Sequence, residues 1–369
     1  AHITFGVMWI KIALALTALL LFVALPSLAE LYTEWLWFGE VGYQSVFLKS
    51  LMTKGLVGSA GFLLAFAFLY GNLRAAVRHI HPPYVLFPGG GDLQPLVLNS
   101  THLAALAIGV SALVALVVGS VASSQWMLVL RYLEASPFGN VDPLFDRDAS
   151  FYVFTLPFLE FIRFGSLSIL VLAAVAAAAA YVVAGEIAVN PDGIHIGARA
   201  RQHLVLIVSG VFLLLAWGAY LDMPRLLTTP SGIVHGASYV DVAIQLPVFR
   251  ILMVVAVLAA GASAYAAFST ATWPVVAAVG SYLFVWAGGG GVAGLLQALV
   301  VTPDEQQKEA PYIAHNIEAT RLAFGLDTVE ERAVSGDALL TLDDIKNNAD
   351  TINNVRLWDH EPLLDTFGQ

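Results

Sequence analysis

The sequence contains no cysteine among its 369 residues. Disulfide scaffolds, thiolate metal sites and cysteine nucleophiles are therefore excluded. The sequence also has no Walker loop, no zincin histidine pair and no nucleophile elbow. These absences predict that the protein is not a soluble-type enzyme, and they offer no catalytic residue, no cofactor-binding residue and no resident cofactor or metal.

Charged residues are also scarce. They make up only 12% of the chain, whereas hydrophobic residues make up 58%. Soluble globular domains carry roughly 25% charged residues. A soluble core large enough to remove so much apolar sequence from water would be implausible. The composition therefore indicates that lipid is the solvent for most of this chain.

Long apolar segments are what the sequence has in abundance. A helix needs about 20 mostly apolar residues to cross the hydrocarbon layer. Segments of this kind lie near 7–27, 53–72, 102–122, 159–183, 203–221, 249–268 and 274–300. We predict an all-α fold in which 1–301 form a polytopic bundle of about seven transmembrane helices, with the first segment retained as an anchor.

The tail differs in charge from the rest of the chain. Residues 1–301 hold 12 Lys/Arg and 13 Asp/Glu, whereas 302–369 hold 5 and 14. Such an acidic block repels nucleic acid and anionic lipid head groups. We therefore predict that 302–369 is a soluble segment without a nucleic-acid partner and that it begins a larger extracytoplasmic domain.

Local signals predict helices within the tail. Thr302 is a candidate N-cap, because Pro303 suits the first helical position and acidic residues follow it. Gly325 is a candidate helix stop. Thr341, with Asp344 three residues later, predicts a second helix that begins with a capping box.

The arginine distribution predicts the orientation of the bundle. Arg74 and Arg78 follow the second apolar segment, and Arg199 and Arg201 precede the fifth. Short connections rich in Lys and Arg lie on the cytoplasmic side. We therefore expect a multi-pass protein of the bacterial cytoplasmic membrane, with its N-terminus in the cytoplasm and its tail outside.

Aromatic residues follow the first apolar segment. Tyr32, Trp35, Trp37 and Tyr43 combine an apolar ring with a polar N–H or O–H. Such side chains are satisfied in the head-group layer. We expect a short helix on the outer membrane surface, with an aromatic ligand platform as the alternative.

Two ionisable residues lie inside the fourth apolar segment. Glu160 and Arg163 are three residues apart and therefore share a helix face. An ion pair between them, or snorkelling to the interface, would lower the cost of charge at the membrane edge. The alternative is a transport or proton path through this position.

Four consecutive glycines, Gly288, Gly289, Gly290 and Gly291, interrupt the last apolar segment. Glycine destabilises a helix but lets neighbouring helices approach closely. We expect close packing or a kink here. A broken helix that binds an ion or a substrate is the alternative.

Two further clusters are weaker candidates for ligand sites. His79 and His81 could meet His102 and His203 at one membrane face, yet a metal site needs three or four converging ligands. The acidic residues of 343–350 lack the glycine and terminal glutamate of an EF-hand loop. We therefore expect interfacial histidines and a solvated acidic helix, and no metal site.

Several motifs resemble those of a known family, the bacterial uncharacterised protein family 0182. They are WLWFGEVGY at 35–43, DRD at 146–148, FY at 151–152 and LPF at 156–158, and in the tail PYI at 311–313, NIEATR at 316–321, AFGLD at 323–327, NNVRLWD at 353–359 and PLL at 362–364. The resemblance implies a bundle of about seven helices followed by a long extracytoplasmic domain. The family has no established activity, so the resemblance supplies no catalytic residue.

Three functions remain open from the sequence. The first is a non-enzymatic structural, assembly or accessory subunit of a larger membrane complex, with membrane lipids and other membrane proteins as partners. The second is a transporter or channel for a lipid or another envelope component. The third, an intramembrane enzyme, would need converging polar groups, for which Glu160 and His102 are the best candidates.

Overall fold

A computed structural model describes residues 22, 25–78, 84–87, 96–190, 193–231, 234–333, 336, 339–355 and 360–368. The chain divides into two compact units, Ala1–Asn316 and Ile317–Gln369. The first predicted span, 7–27, lies mostly outside the described residues.

The first unit consists mainly of long helices. Residues 25–40 form α1. The helices that follow it are α2 (Gln44–Val77), α3 (Ser100–Ser124), α4 (Trp126–Leu133), α5 (Leu156–Val183), α6 (Ala198–Arg225), α7 (Leu246–Phe268), α8 (Trp273–Leu296) and α9 (Glu305–Phe324), whose last residues belong to the second unit.

Six of the helical segments in the described residues are long and apolar enough to cross a membrane. They contain α2, α3, α5, α6, α7 and α8, which correspond to the second to seventh predicted spans. The chain is therefore an all-α membrane bundle, as its composition predicts.

Short antiparallel hairpins connect some of these helices. The pairs are β1 (Tyr84–Phe87) with β2 (Leu96–Asn99), β3 (Ile187–Asn190) with β4 (Gly193–Ile196), and β5 (Pro230–Ser231) with β6 (Val234–His235). Each hairpin falls in a connection whose Pro and Gly residues predict turns. The hairpins bring the ends of successive spans together without adding a sheet layer.

Three helical segments contain a π turn that is followed, after one residue, by proline. The π turns are Phe151–Thr155, Asp241–Gln245 and Gln297–Val301, and they precede Pro157, Pro247 and Pro303. In each, the N–H of the residue before proline donates to the carbonyl five residues back. Proline has no N–H and its ring clashes with the carbonyl four residues back, so a one-residue widening of the helix accommodates it.

The third π turn makes α8 and α9 parts of one helical run, Trp273–Phe324, of 52 residues. The predicted N-cap at Thr302 is wrong, because the chain is helical on both sides of this residue. The Thr302 hydroxyl instead donates to the Gln297 carbonyl at 2.8 Å. The helix therefore continues from the apolar segment into the polar one without a new start.

Glu309 of α9 packs against the residues that begin the helical segment of α7. The residue is 4% exposed, and its carboxylate accepts the Tyr239 N–H at 3.0 and 3.2 Å. The N–H groups of a first helical turn have no partner within the helix and carry partial positive charge. Glu309 therefore acts as a cap supplied by another helix, and it ties the start of α9 to α7.

The spanning helices pack in an open series in the order α3, α2, α5, α6, α7, α8. In the most apolar window of each span, 39% of residues are buried for α6 but only 6% for the segment that contains α8. Within the described part of the chain, α6 is therefore the central helix of the series, and α8 is an edge helix with α7 as its main neighbour.

Small residues form the contacts within this series. One cluster joins Ala65 of α2, Ala115 of α3 and Ala173 of α5, and all three side chains are fully buried. Since lipid supplies no hydrophobic drive for helices to associate, close backbone approach has to supply the attraction. At the α2–α3 contact, a Cβ on Gly119 would lie 2.8 Å from the Gly58 carbonyl oxygen.

The second unit is helical, and local sequence signals predict features of its helices. Its helices are α10 (Leu342–Asn347), α11 (Ala349–Asn354) and α12 (His360–Phe367). Gly325 adopts a left-handed conformation with φ 63° directly after the last residue of α9, so the predicted stop is confirmed.

The predicted capping box is also confirmed. The Asp344 N–H donates to Thr341 Oγ1 at 3.2 Å, and the Thr341 N–H donates to Asp344 Oδ2 at 3.0 Å. The hydrogen bonds from the Thr341 side chain and backbone lower the pKa of the Asp344 carboxyl.

The α2–α3 contact generates a first prediction. Gly119→Leu should lower the free energy of unfolding by about 3 kcal/mol, because the new side chain meets backbone atoms that cannot move aside. Thermal or denaturant unfolding of the protein in nanodiscs measures this loss. Gly109→Leu, in the same helix with nothing within 4 Å of an added Cβ, is the matched control. Equal losses for the two variants would contradict the close contact.

Candidate functional site

Charged side chains within the membrane-spanning helices gather where the N-terminal end of α5 meets the C-terminal end of α6. Glu160 and Arg163 come from α5, and Asp222 and Arg225 come from α6. We call these four residues the charged cluster. Glu160 Oε1 lies 3.7 Å from Arg225 Nε, and Asp222 interacts electrostatically with Arg163 and Arg225.

The expected ion pair between Glu160 and Arg163 is not formed, because the Glu160 carboxylate pairs with Arg225 of the neighbouring helix. Arg163 extends toward α6, where Gly218 leaves room for it. A Cβ on Gly218 would lie 2.3 Å from Arg163 Nη1. Both side chains therefore serve the α5–α6 contact, and neither stabilises α5 alone.

The charged cluster is balanced in charge but incomplete in hydrogen bonding. Two carboxylates face two guanidinium groups, which makes the burial of charge tolerable in lipid. Glu160 Oε1 and Arg163 Nε are nevertheless buried without a hydrogen-bond partner among the described residues. Glu160 Oε1 keeps its ion pair with Arg225, whose 3.7 Å separation is too long for a hydrogen bond. A buried polar group without a hydrogen bond costs about 1–3 kcal/mol.

Tyr282 brings α8 to the same place. It interacts electrostatically with Asp222 and Arg163, and its ring meets Phe212 of α6 edge-on at 6.1 Å. The charged cluster is therefore bordered by three helices of the series.

Asp222, Arg225 and Tyr282 were missed by the sequence analysis. The fifth predicted span ends at residue 221, because the charge at Asp222 marks an apparent helix end. The helix in fact continues through Pro224 to Arg225. A usable signal was present, since Asp222 and Arg225 repeat the three-residue spacing of Glu160 and Arg163.

A rigid loop fixes the start of α5 against α6. Asp142 accepts the N–H groups of Leu144, Phe145 and Arg147 at 2.6–2.9 Å. Arg147 in turn donates to Tyr220 Oη of α6 at 2.9 Å and stacks over the Phe151 ring at 4.2 Å. The loop therefore holds α5 in place within one turn of Asp222.

Asp148 stabilises the other side of this loop. Its carboxylate accepts the N–H groups of Phe138, Gly139 and Ser150 at 2.7–3.0 Å. The hydrogen bonds from the Ser150 side chain and these backbone groups hold the pKa of Asp148 well below its usual range. The carboxylate therefore stays charged throughout the physiological pH range.

The four glycines of α8 lie within an unbroken helix, so the alternative of a broken helix at this position is wrong. A Cβ on Gly289 would lie 2.5 Å from Val248 Cγ1 of α7, which identifies Gly289 as a close-packing position. Added Cβ atoms on Gly288, Gly290 and Gly291 would meet nothing within 4 Å. The run therefore serves one contact within the chain and leaves three positions open.

His203 belongs to a polar link at the opposite end of the same helices. Its Nδ1 shares a hydrogen bond with Tyr181 Oη at 2.9 Å, and its Nε2 shares one with Asn72 Oδ1 at 2.8 Å. Both ring nitrogens are therefore engaged in joining α2, α5 and α6. His79 and His81 lie outside the described residues, and the part of the chain that is described holds no group of three metal-ligating side chains.

The predicted interfacial aromatic residues lie in and just after α1, whose helical conformation is confirmed over 25–40. Tyr32, Trp35, Trp37 and Tyr43 are all exposed. The rings of Tyr32 and Trp35 stack at 6.0 Å. Their location in the head-group layer stays a prediction.

The charged cluster generates a second prediction. Asp222→Ala should lower the free energy of unfolding by about 2–3 kcal/mol, because it leaves two guanidinium groups facing one carboxylate in a partly buried site. Unfolding of the protein in nanodiscs gives this value.

Glu134→Ala provides the control for this measurement. It breaks the exposed Lys49–Glu134 pair at 3.0 Å and should cost less than about 1 kcal/mol. A loss for Asp222→Ala no larger than that of the control would show that the charged cluster contributes nothing to the fold.

Comparison with known proteins identifies the family. Similar proteins include a UPF0182 protein of Pelobacter propionicus, 36% identical over 98% of this chain and 40% of its own length. Another, from Geobacter sulfurreducens, is 36% identical over 94% of this chain and 40% of its own length. The chain thus spans about two-fifths of the length of these relatives. No solved structure matches it significantly. Because the model of the uncharacterised protein family UPF0182 matches residues 11–369, the chain belongs to that family.

Proposed function

We propose that this chain is a non-enzymatic structural, assembly or accessory subunit of a larger complex in the bacterial cytoplasmic membrane. One observation carries the proposal. Among the described helices, the segment containing α8 ends the open series, and only 6% of its most apolar window is buried. A spanning helix with one main neighbour in the described part of the chain offers most of its surface to another membrane protein.

The open glycines support a protein partner for this surface. Gly288 and Gly291 are three residues apart on α8, and neither has a neighbour within 4 Å of an added Cβ. Small residues on transmembrane helices let a second helix approach closely, which is the main source of attraction between helices in lipid. Phe284, four residues before Gly288 and 78% exposed, lies on the same helix face and would add contact area.

The orientation follows the arginine pattern of the connections. Arg74 and Arg201 lie at the same end of the bundle. By the positive-inside rule, that end faces the cytoplasm. The acidic tail is then extracytoplasmic. In this arrangement, the membrane bundle supports a domain outside the cell membrane and joins it to partners within the bilayer.

A second function, transport of a lipid or another envelope component, has one observation in its favour. The charged cluster keeps a buried donor and a buried acceptor without hydrogen bonds in the described part of the chain. Ionisable residues within a membrane often mark the path of a substrate. Transport would require a path from this cluster along the bundle.

The subunit proposal predicts selective cross-linking through α8. A photoreactive amino acid at position 284, where Phe284 is 78% exposed, should cross-link to one defined membrane protein in native membranes. The matched control is position 164 on α5, where Phe164 is 68% exposed. We expect only lipid adducts there, and lipid adducts at both positions would contradict the proposal.

Substitutions of the glycines in α8 test whether the cross-linked partner contacts this helix face. Gly291→Leu should abolish the protein cross-link and leave the unfolding temperature unchanged, because position 291 is open. Gly289→Leu should lower the unfolding temperature, because it meets Val248 within the chain. A cross-link that survives Gly291→Leu would place the partner on another surface.

A further inference from the structure

We propose that the charged cluster binds the head group of a phospholipid that carries both a phosphate and a protonated amine. This inference does not depend on the subunit proposal, because it concerns α5 and α6 and not the open face of α8. The ligand class follows from the depth, the exposure and the charge pattern of the cluster.

The depth of the cluster matches the head-group boundary. The spanning segments Phe151–Val183 and Ala198–Thr228 have 33 and 31 residues. At 1.5 Å per residue they are about 50 and 46 Å long, so each extends about 8–10 Å beyond a hydrocarbon core of about 30 Å at either end. Glu160 lies about 13 Å from the start of its segment, and Asp222 lies about 9 Å from the end of its own. The cluster therefore lies just inside the boundary where head groups meet hydrocarbon.

The cluster is open on one side and closed on the other. The side chains of Arg225 and Glu160 are 50% and 29% exposed. Arg163 lies deeper, against Gly218, and its Nε is buried without a partner. A head group can thus approach from the lipid side at Arg225 and Glu160, the exposed part of the cluster.

The charge pattern selects a ligand with both signs of charge. A purely anionic head group attracted to Arg163 and Arg225 is repelled by Glu160 and Asp222. A simple cation is attracted to Glu160 and Asp222 but repelled by Arg163 and Arg225. A phosphate and an amine joined by a short linker can satisfy both kinds of group, the phosphate at a guanidinium and the amine at a carboxylate.

The Glu160 carboxylate also distinguishes between amines. Its Oε1 forms an ion pair with Arg225 Nε at 3.7 Å but accepts no hydrogen bond. A primary ammonium group supplies three N–H donors, whereas a trimethylammonium group supplies none. The cluster should therefore prefer phosphatidylethanolamine to phosphatidylcholine, although the two head groups have the same net charge.

Native mass spectrometry of the detergent-solubilised protein tests this preference. Phosphatidylethanolamine, phosphatidylcholine and phosphatidylglycerol with the same acyl chains are added in turn. One charge-assisted hydrogen bond corresponds to a difference of about tenfold or more in affinity. We expect phosphatidylethanolamine to bind about tenfold more tightly than either of the other lipids. Equal affinities for the three lipids would overturn the proposal.

Variants assign the preference to the cluster. Glu160→Gln should abolish the preference for phosphatidylethanolamine over phosphatidylcholine, and Arg225→Gln should weaken the binding of both lipids. Arg250→Gln is the matched control, because Arg250 is the exposed basic residue at the position of α7 that corresponds to Glu160 in α5. A preference retained in Glu160→Gln, or lost in Arg250→Gln, would overturn the site.

Two features keep the result interpretable. The preference is a ratio of two affinities within one variant, so a general loss of stability does not imitate its disappearance. Soluble phosphoethanolamine, added as a competitor, distinguishes a free phosphate ester from a lipid. Displacement of the lipid at millimolar concentration would mean that the head group alone is recognised, which supports the proposed contacts.

The cross-link at position 284 should be unaffected by Glu160→Gln. The lipid proposal can therefore be contradicted without contradicting the subunit proposal, and the reverse also holds.

Discussion

The contact between α5 and α6 is the interaction on which the first unit depends. It joins the helices on the α2 side of the series to those on the α7 side, and polar groups secure it at both ends. His203 links α6 to Tyr181 and Asn72 at one end, and the charged cluster links it to α5 at the other. Because lipid offers no alternative partner for such groups, separating the two helices would leave them unsatisfied. The polar pairs therefore specify which helices are neighbours, while small residues set how closely they approach.

Much of the fold could be predicted from the sequence where one local rule decides the outcome. Apolar length identifies the spans, and the stop at Gly325 needs only the freedom of glycine to adopt a positive φ. The start at Thr302 could not be predicted, because a π turn accommodates Pro303 and lets the helix continue. The partner of Glu160 was also beyond local rules, since Arg225 reaches it only through the packing of α6 against α5. Residue spacing predicts contacts within one helix, whereas the charged cluster forms between two helices.

The two proposals assign different surfaces to different neighbours. The open face of α8 presents glycines beside large apolar side chains, which suits a second transmembrane helix. The charged cluster presents paired charges at the depth of the head groups, which suits a lipid. A subunit that joins a larger complex can use both, because a lipid would bind at Glu160 and Arg225 while α8 engages a partner.

Charges on α5 and α6 act together to hold these helices at the head-group boundary. A double-mutant cycle with Glu160→Gln, Arg225→Gln and the double variant measures this coupling through the free energy of unfolding in a bilayer. We expect that the two single losses are not additive, with a coupling energy of about 1 kcal/mol or more. Additive losses would show instead that Glu160 and Arg225 contribute to stability independently of each other.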